Sequence, residues 1–334
     1  MLIVTLGEPS GISYEIFLKI FWEIEKHFKK EKKVYIGSRL HLKRILLSRY
    51  SKKYSLFQRY KILKKSKNVK LYPKFIFGKN IYINGKLAYF TLKEAVTCLR
   101  FRKIKSKHKN IEKILKSRYI LFTLPINKKN IFKKDFIGHT EYFGKKFSTK
   151  PIMVMGNKKF LFAFFTTHLP LKEVSNFIKK EKIIIFLKNL INNFPNIKKI
   201  GICAFNPHAG EGGKLGEEEL KEILPAIKEI KKDYKYIDIF LKPADTIFFE
   251  KADLYVNMYH DQALIVLKLT DRKSIFNLTL NLPFLRISPG HGTAYDIAGK
   301  GTCEVDASLE ALKIIKKGRS TAWSPLQYIL TYSS

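Results

Sequence analysis

The sequence predicts an α/β protein with a mainly parallel sheet and two lobes. Short apolar runs alternate with segments whose apolar residues recur at helical spacing, which is the pattern of successive βαβ units. The opening shows this most clearly, since a strand at 2–6 precedes a helix over 14–28 and a second strand at 34–37. The chain has 334 residues, of which 46% are hydrophobic, and this is enough for two cores rather than one.

The remaining elements follow from the same signals. Ser13 is the predicted N-cap of the first helix, and Glu15 favours its first turn. Within the Lys-, Ser- and Tyr-rich segment 48–115, two stretches at 76–78 and 81–86 resemble hairpins, and 91–102 predicts a helix. Further buried strands are predicted at 119–124, 152–155, 160–166, 200–205, 238–241, 254–258 and 285–288. Further helices are predicted over 172–178, 183–194, 217–232 and 304–317.

The formal charge of +36 raises the possibility of a nucleic-acid partner. The lysines, however, are spread along the whole chain, between apolar strands and on the polar faces of predicted helices. The sequence is also rich in Ile, Phe, Tyr and Asn, the residues that AT-rich codons favour. We therefore interpret the charge as a solvated surface that attracts anionic substrates, and we expect no nucleic-acid partner.

The sequence indicates a cytoplasmic protein without a membrane partner. No apolar run approaches the length of a membrane span, and the apolar N-terminus lacks preceding basic residues and a small-residue cleavage site. Cys98, Cys203 and Cys303 lie far apart with no CxxC motif. This argues against a disulfide framework or a cysteine zinc site and fits a reducing compartment.

Three histidines, His168, His208 and His260, each lie just past the end of an apolar strand. His208 belongs to the glycine-rich stretch Ile200–Gly216. Because the carboxyl ends of parallel strands share one edge of a sheet, three imidazoles there would form an open metal site. They suit zinc or cobalt, while substrate oxygens would also allow magnesium or manganese. Polar loop residues placed by chance are the alternative interpretation.

Two aspartates and one glycine-punctuated loop extend this candidate site. Asp245 and Asp261 follow strands in the same class of loop, where they would orient imidazoles or move protons; helix capping is the alternative. The loop from His291 to Gly301 is either a tight connection or a place of close backbone approach to a ligand. No GxGxxG follows the first strand, and Leu215 follows the Gly-Lys pair, so neither a classical Rossmann site nor a Walker loop is expected.

Eight ordered motifs give the chain a close resemblance to the 4-hydroxythreonine-4-phosphate dehydrogenase family of pyridoxal phosphate biosynthesis. They are TLGEPSGI, LPINK, GHTEYF, TTHLPLKEV, NPHAGEGGKLG, PADTIF, MYHDQALIVLK and NLTLNLPFLRISPGHGTAYDIAGKG. The motifs run in order from Thr5 to about Leu312, and only 30–115 lacks them. The final motif also resembles the coenzyme loop of isocitrate and isopropylmalate dehydrogenases.

The resemblance implies two α/β/α lobes around a cleft, as in isocitrate and isopropylmalate dehydrogenases and unlike a classical Rossmann fold. The first lobe would comprise 1–130, completed by 265–334, on the coenzyme side. The second would comprise 131–264, on the metal and dimer side. The protein would be a homodimer with its active site at the interface.

The implied reaction is the NAD- or NADP-dependent oxidation of 4-phosphooxy-L-threonine, followed by decarboxylation to 3-amino-2-oxopropyl phosphate. The family's metal ligands match His168, His208 and His260. The expected catalytic residues are Asp245, Asp261 and Lys268. The expected substrate contacts are His139, Thr140, Lys268, Asn277 and Arg286. The coenzyme is expected at His291, Gly292, Thr293, Ala294 and Asp296.

Elementary chemistry agrees with these assignments. Lys268 and Arg286 are the kinds of cation that a phosphate and a carboxylate require. A divalent metal polarises a hydroxyl for hydride loss and then stabilises the enolate left by decarboxylation. The coenzyme supplies the hydride chemistry, so no protein nucleophile is needed.

The chain departs from the family pattern at two places. Ser13-Tyr14 stands where Gly-Pro is common, and Ser288-Pro289-Gly290 precedes His291 where an Asp often does. Two alternatives stay open: a related metal-dependent β-decarboxylating dehydrogenase acting on another hydroxy acid, and a basic nucleic-acid-binding protein on this scaffold. The native metal and the preference between NAD and NADP also stay open.

Overall fold

The computed structural model describes residues 1–47, 58, 62, 81–100, 119–131, 133 and 135–317. The strands are β1 (Leu2–Thr5), β2 (Lys33–Ile36), β3 (Ile120–Thr123), β4 (Ile152–Gly156), β5 (Leu161–Phe164), β6 (Lys199–Cys203), β7 (Asp238–Lys242), β8 (Leu254–Asn257), β9 (Phe276–Leu280) and β10 (Leu285–Pro289). The α-helices are α1 (Ser13–His27), α2 (Arg39–Leu47), α3 (Ile81–Arg100), α4 (His139–Phe147), α5 (Leu171–Phe177), α6 (Lys180–Asn193), α7 (Leu224–Asp233), α8 (His260–Asp271) and α9 (Asp306–Lys317).

The described residues divide into two units. The first comprises those up to Thr149 together with Leu282–Lys316, and its strands pair in the order β2-β1-β3-β10, all parallel. The second comprises Lys150–Asn281, with the order β9-β4-β5-β8-β6-β7. Strand β4 is antiparallel to both of its neighbours, whereas β5, β8, β6 and β7 run parallel. The predicted mainly parallel α/β class is therefore confirmed.

The first unit is discontinuous along the chain, as the first predicted lobe is, and the second unit is the segment between its two parts. The predicted breaks, after residues 130 and 264, come earlier in the chain than the breaks after Thr149 and Asn281. None of the helices within the described ranges is long and apolar enough to cross a membrane.

One hydrophobic core in each unit positions an element that carries candidate site residues. In the first, Phe143 of α4 is buried against Phe284, with ring centroids 5.9 Å apart, so the start of α4 is fixed beside β3 and β10. In the second, Ala263 and Leu267 of α8 are buried in the cluster that contains Phe162 of β5. Burial of such side chains stabilises each helix by a few kcal/mol, on the order of 2 per large residue.

The predicted hairpin at 81–86 is wrong, because these residues open helix α3. The glycine of this Asn-Gly pair is needed for close packing and not for a turn. A Cβ added to Gly85 would lie 1.7 Å from the carbonyl oxygen of Asn130. Glycine therefore permits α3 to pack closely on the turn Lys128–Asn130. The predicted helix over 91–102 is confirmed as far as Arg100, and the predicted hairpin at 76–78 lies outside the described residues.

The predicted capping role of Ser13 is also wrong. Ile12 occupies the N-cap position of α1, and the Ser13 hydroxyl instead donates to the carbonyl oxygen of Pro125 at 2.8 Å. The predicted helix over 217–232 opens with a π-helical turn at Glu219–Ile223 before α7. Pro225 accounts for this irregularity, since it lacks the N–H that would continue the regular ladder.

Tyr14, at the position where the family commonly has Pro, is completely buried and joins α1 to the end of β2. Its hydroxyl accepts a hydrogen bond from the backbone N–H of Ser38 at 2.6 Å, and its ring packs edge-on against His41, with centroids 4.7 Å apart. A Cβ on Gly37 would lie 2.8 Å from the Tyr14 hydroxyl. The larger side chain is thus accommodated by a glycine opposite it.

His41 makes this packing sensitive to acid. Burial and the nearby Arg44 lower the pKa of His41 from 6.5 to about 4. Above pH 6.5 the imidazole is neutral in the folded and unfolded chains, and it contributes no pH dependence. As the pH falls below 6.5, the unfolded chain takes up a proton that the folded chain refuses, so stability is lost.

Replacement of His41 should remove this loss. Between pH 7 and pH 5, wild type should lose about 2 kcal/mol more unfolding free energy than the His41→Gln variant. Urea unfolding of both proteins at the two pH values measures it. The other acid-sensitive groups are present in both chains, so they cancel in the comparison. Identical pH dependence of the two proteins would contradict the assignment.

Candidate active site

The parallel pairing of β5, β8 and β6 brings three histidine-bearing loops to one edge of the second unit. His168 follows β5, His260 opens α8 after β8, and His208 follows β6. The predicted site requires strands whose carboxyl ends are adjacent, and the order of the strands in the sheet meets this requirement.

Two of the three imidazoles are neighbours. The ring centroids of His168 and His260 lie 5.9 Å apart, and His260 Nδ1 lies 2.7 Å from an Asp261 carboxylate oxygen. This contact holds one ring nitrogen of His260 and leaves the other for a ligand. No group of three His, Cys, Asp or Glu side chains that could hold a metal occurs in the part of the chain that the structure describes. The pairing of His208 with the other two stays a prediction.

His208 opens an unusual run of left-handed backbone. The φ angles are 49° at His208, 57° at Ala209, 78° at Gly210, 45° at Glu211 and 68° at Gly212. Left-handed backbone costs roughly 1–2 kcal/mol for each residue that carries a Cβ. Three of these five residues do, so their conformation has to be imposed by the surroundings, and such strain is typical of functional loops.

Glu219 is the residue that fixes the start of this loop. Its side chain is 1% exposed, and one carboxylate oxygen accepts the backbone N–H groups of Phe205 at 2.7 Å and Asn206 at 2.8 Å. The other oxygen accepts the side-chain amide of Asn206 at 2.8 Å. A Cβ on Gly216 would lie 2.3 Å from that amide, so glycine is required there. Gly216 and Gly210, whose Cβ would lie 2.8 Å from the Gly216 carbonyl oxygen, thus serve close packing.

Removal of the Glu219 charge should loosen the His208 loop. The Glu219→Gln variant replaces one acceptor oxygen with a donor, and we expect a loss of roughly 2–4 kcal/mol in unfolding free energy. Glu218→Gln is the matched control, because Glu218 accepts the Asn206 amide, at 2.7 Å, but no backbone N–H group of the described residues. Urea unfolding measures both, and an equal loss in the two variants would contradict the anchoring role.

The other candidates of the second unit lie on separate elements. Asp245 is exposed in the turn after β7, Lys268 is exposed on α8, and Asn277 is half-buried in β9. Helix capping does not account for either aspartate. Tyr259 is the N-cap of α8, next to Asp261, and Thr246 is the N-cap of the short helical turn that follows Asp245.

In the first unit, Arg286 forms a buried cationic centre on β10. It is 3% exposed, and its guanidinium donates to the Thr123 hydroxyl at 2.8 Å and to the Ser288 hydroxyl at 3.0 Å. Burial lowers the pKa of Arg286 to about 9, while the Glu141 carboxylate acts to raise it. Arg286 is therefore charged at neutral pH, and two of its contacts are hydrogen bonds to hydroxyl groups.

His139 lies beside this cation at the start of α4. Its pKa is well below the usual range because of burial, the charge of Arg286 and the charge of Lys128. The imidazole is thus neutral at physiological pH, and its buried Nε2 has no hydrogen-bond partner in the described part of the protein. Thr140 is buried next to it. A buried polar atom without a partner, next to a cation, is typical of a site for an anionic ligand.

The predicted coenzyme loop follows β10. Between His291 and Gly301 it forms turns, with φ angles of 40° at Ala294, 82° at Gly299 and 74° at Gly301. Burial lowers the pKa of His291. Open space surrounds the position that a Cβ would take on Gly292, and Asp296 is exposed, so a ligand can approach this backbone. Thr293 packs against Gly11, where a Cβ would meet its carbonyl oxygen at 2.6 Å.

Sequence reasoning missed the buried carboxylates that support these loops. Glu8 is fully buried and accepts the backbone N–H of Asn127 at 2.8 Å and the side-chain amide of Asn130 at 2.6 Å. Glu15 and Glu219 are the others. The signal for Glu15 was an acidic residue in a first helical turn, where stabilisation by the helix dipole was the expected role.

Comparison with known proteins shows the family of the chain. The chain matches the family model described as "Pyridoxal phosphate biosynthetic protein PdxA" over residues 29–315. It is 35% identical to the 4-hydroxythreonine-4-phosphate dehydrogenase of Sulfurihydrogenibium sp. (strain YO3AOP1) and 36% identical to that of Aquifex aeolicus (strain VF5), covering 94% of this chain and 96% of the relative in each case. The crystal structure of the Klebsiella pneumoniae 4-hydroxythreonine-4-phosphate dehydrogenase aligns with a TM-score of 0.68 and 25% identity, over 96% of this chain and 99% of that one.

The chain therefore belongs to the PdxA family of pyridoxal phosphate biosynthetic proteins. This confirms the resemblance that the ordered motifs indicate.

Proposed function

We propose that this chain oxidises 4-phosphooxy-L-threonine with NAD or NADP and releases 3-amino-2-oxopropyl phosphate for pyridoxal phosphate biosynthesis. Hydride passes from the hydroxyl-bearing carbon to the oxidised coenzyme, and the hydroxyl proton is released. The β-keto carboxylate then loses carbon dioxide, and the enolate that remains takes up a proton at carbon to give the ketone. The observation that carries the proposal is the match, over 94% of the chain, to relatives named for this activity.

The anion site of the first unit supports the substrate class. Arg286 offers a buried guanidinium, His139 offers a neutral imidazole with a free ring nitrogen, and Thr140 adds a buried hydroxyl. A neutral imidazole beside a guanidinium donates to a carboxylate or phosphate without the cost of a second buried charge. Lys268 and Asn277 complete the proposed substrate contacts, and Lys268 together with Asp245 and Asp261 is the proposed proton-transfer set.

The histidines of the second unit fit a divalent metal. Two imidazoles whose ring centroids lie 5.9 Å apart are close enough to bind one ion, and Asp261 orients one of them. We propose His208 of a second copy as the third ligand, since no group of three His, Cys, Asp or Glu side chains that could hold a metal occurs within the described residues of one chain. A bound zinc, cobalt, magnesium or manganese ion would supply Lewis-acid stabilisation of the substrate oxygens.

A homodimer would explain apolar side chains around the metal ligands. Leu171 is 63% exposed, three residues after His168, and α8 exposes Ile265 at 58% and Leu269 at 82%. Large exposed apolar side chains close together are typical of protein–protein interfaces. A cytoplasmic location is proposed from the three free cysteines of the described chain, since disulfides are rare in reducing compartments.

An assay of NADH or NADPH absorbance tests the activity. Purified protein with 4-phosphooxy-L-threonine, oxidised coenzyme and a divalent metal should show turnover, and a chelator or His208→Ala should reduce it by at least about a hundredfold, because metal-bound oxygens lose their stabilisation. Lys214→Ala, in the same loop, is the matched control. Turnover unaffected by the chelator and by His208→Ala would contradict the metal site. Activity only on another hydroxy acid would favour the related dehydrogenase.

Subunit mixing tests the shared site. His208→Ala and His168→Ala homodimers should each be inactive. After they are mixed, unfolded and refolded together, roughly a quarter of wild-type activity should return, since half of the dimers are mixed and each has one intact site. Two tubes refolded separately and then pooled are the control. No recovery in the refolded mixture would place all three ligands in one chain.

A further inference from the structure

The loop 291–301 rests on one face of helix α1. The backbone N–H of Ile12 donates to the Thr293 carbonyl oxygen at 2.9 Å, and the Lys19 ammonium donates to the Cys303 carbonyl oxygen. Between them, both oxygens of Glu15 accept backbone N–H groups from the loop. Residues 12, 15 and 19 are spaced by three and four, which places them on the same side of a helix.

Glu15 makes the central contact between helix α1 and the loop 291–301. One carboxylate oxygen accepts the N–H of Gly299, and the other accepts the N–H of Gly301 at 2.9 Å. The side chain is only 2% exposed, and within the described residues no Lys or Arg forms an ion pair with it. A buried carboxylate is costly unless hydrogen bonds satisfy it. Its charge is therefore directed at the loop backbone.

The loop has little structure of its own to replace this contact. Its internal backbone hydrogen bonds are short-range, from Ile297 to Ala294 at 3.3 Å, from Ala298 to Tyr295 at 3.4 Å and from Lys300 to Ile297 at 3.2 Å. Both residues that donate to Glu15 are glycines with positive φ, 82° and 74°. Such backbone is readily rearranged when no outside contact fixes it.

A second buried carboxylate also supports the loop. The Asn130 side-chain amide donates to Glu8 at 2.6 Å and to the Tyr295 hydroxyl at 2.7 Å. This contact holds the loop at the side chain of Tyr295, whereas Glu15 accepts two backbone N–H groups. Glu15 thus fixes the loop backbone itself.

We propose that Glu15 is a positioning residue for coenzyme binding. It fixes the backbone at Gly299 and Gly301, so that the segment from His291 to Asp296 offers the coenzyme one conformation, without itself touching the coenzyme. The inference rests on the proposed function, in which this loop binds NAD or NADP. Preorganisation of this kind lowers the ordering cost of binding and acts on coenzyme affinity rather than on the chemical step.

Glu15→Gln tests this role with nearly constant side-chain size. The dissociation constants of NAD and NADP by calorimetry, and the KM of the preferred coenzyme, should rise roughly tenfold or more. The value of kcat and the KM of the phosphorylated substrate should stay within about twofold. Without coenzyme, hydrogen exchange of the amides at 299–301 should accelerate. Glu15→Asp, which keeps the charge but shortens the reach, should show an intermediate effect and serves if the Gln variant does not fold.

Glu25→Gln is the matched control. Glu25 is also a buried carboxylate of α1, but it accepts the Tyr35 hydroxyl at 2.8 Å. Unchanged coenzyme affinity in Glu15→Gln, or an equal loss in Glu25→Gln, would overturn the proposal. So would a parallel fall in kcat and substrate affinity, which indicates general destabilisation. Failure of the proposed function is distinguishable, because the wild-type protein itself would then bind no coenzyme.

Discussion

Buried carboxylates that accept backbone N–H groups hold the functional loops of this protein. The chain carries 64 Lys and Arg residues against 28 Asp and Glu residues, yet several acids that are buried in the described residues accept backbone N–H groups. Glu8 accepts an amide of the turn after β3, Glu15 accepts two of the loop 291–301, and Glu219 accepts two at the entrance to the His208 loop. Asp253 does the same at the start of β6. In a low-dielectric interior such charge-assisted bonds are strong and directional.

This arrangement separates the acids from the basic surface. Exposed ion pairs between lysines and carboxylates contribute little to stability and are weakened by salt. Buried carboxylate–amide contacts are screened far less, so the loops keep their geometry while the surface charge stays free to attract anionic substrates. The excess of positive charge then belongs to the surface, and the conformation of the site depends on a few acids inside.

The sequence predicts the parallel core well, because strands covered on both faces appear as continuous apolar runs; β1, β3, β6 and β8 are examples. It predicts β9 poorly, since polar Asn277 and Thr279 interrupt its apolar residues, and this strand was missed. Helix α8 was missed because its first turn reads as a polar loop.

The candidate site likewise has parts that the sequence predicts and parts that it does not. Strand ends point to His168 and His260, whose proximity depends only on sheet order. The supporting acids and the left-handed backbone at His208 depend on contacts between distant segments, and non-glycine residues give no local sign of positive φ. Close packing at Gly85 likewise reads as a turn until its neighbour at Asn130 is known. Gly85 is far from Asn130 along the chain, yet their close contact makes the residue at position 85 important for the structure of this turn. Any side chain at Gly85 would displace the turn that carries Asn130, and with it the amide that donates to Glu8 and to the Tyr295 hydroxyl.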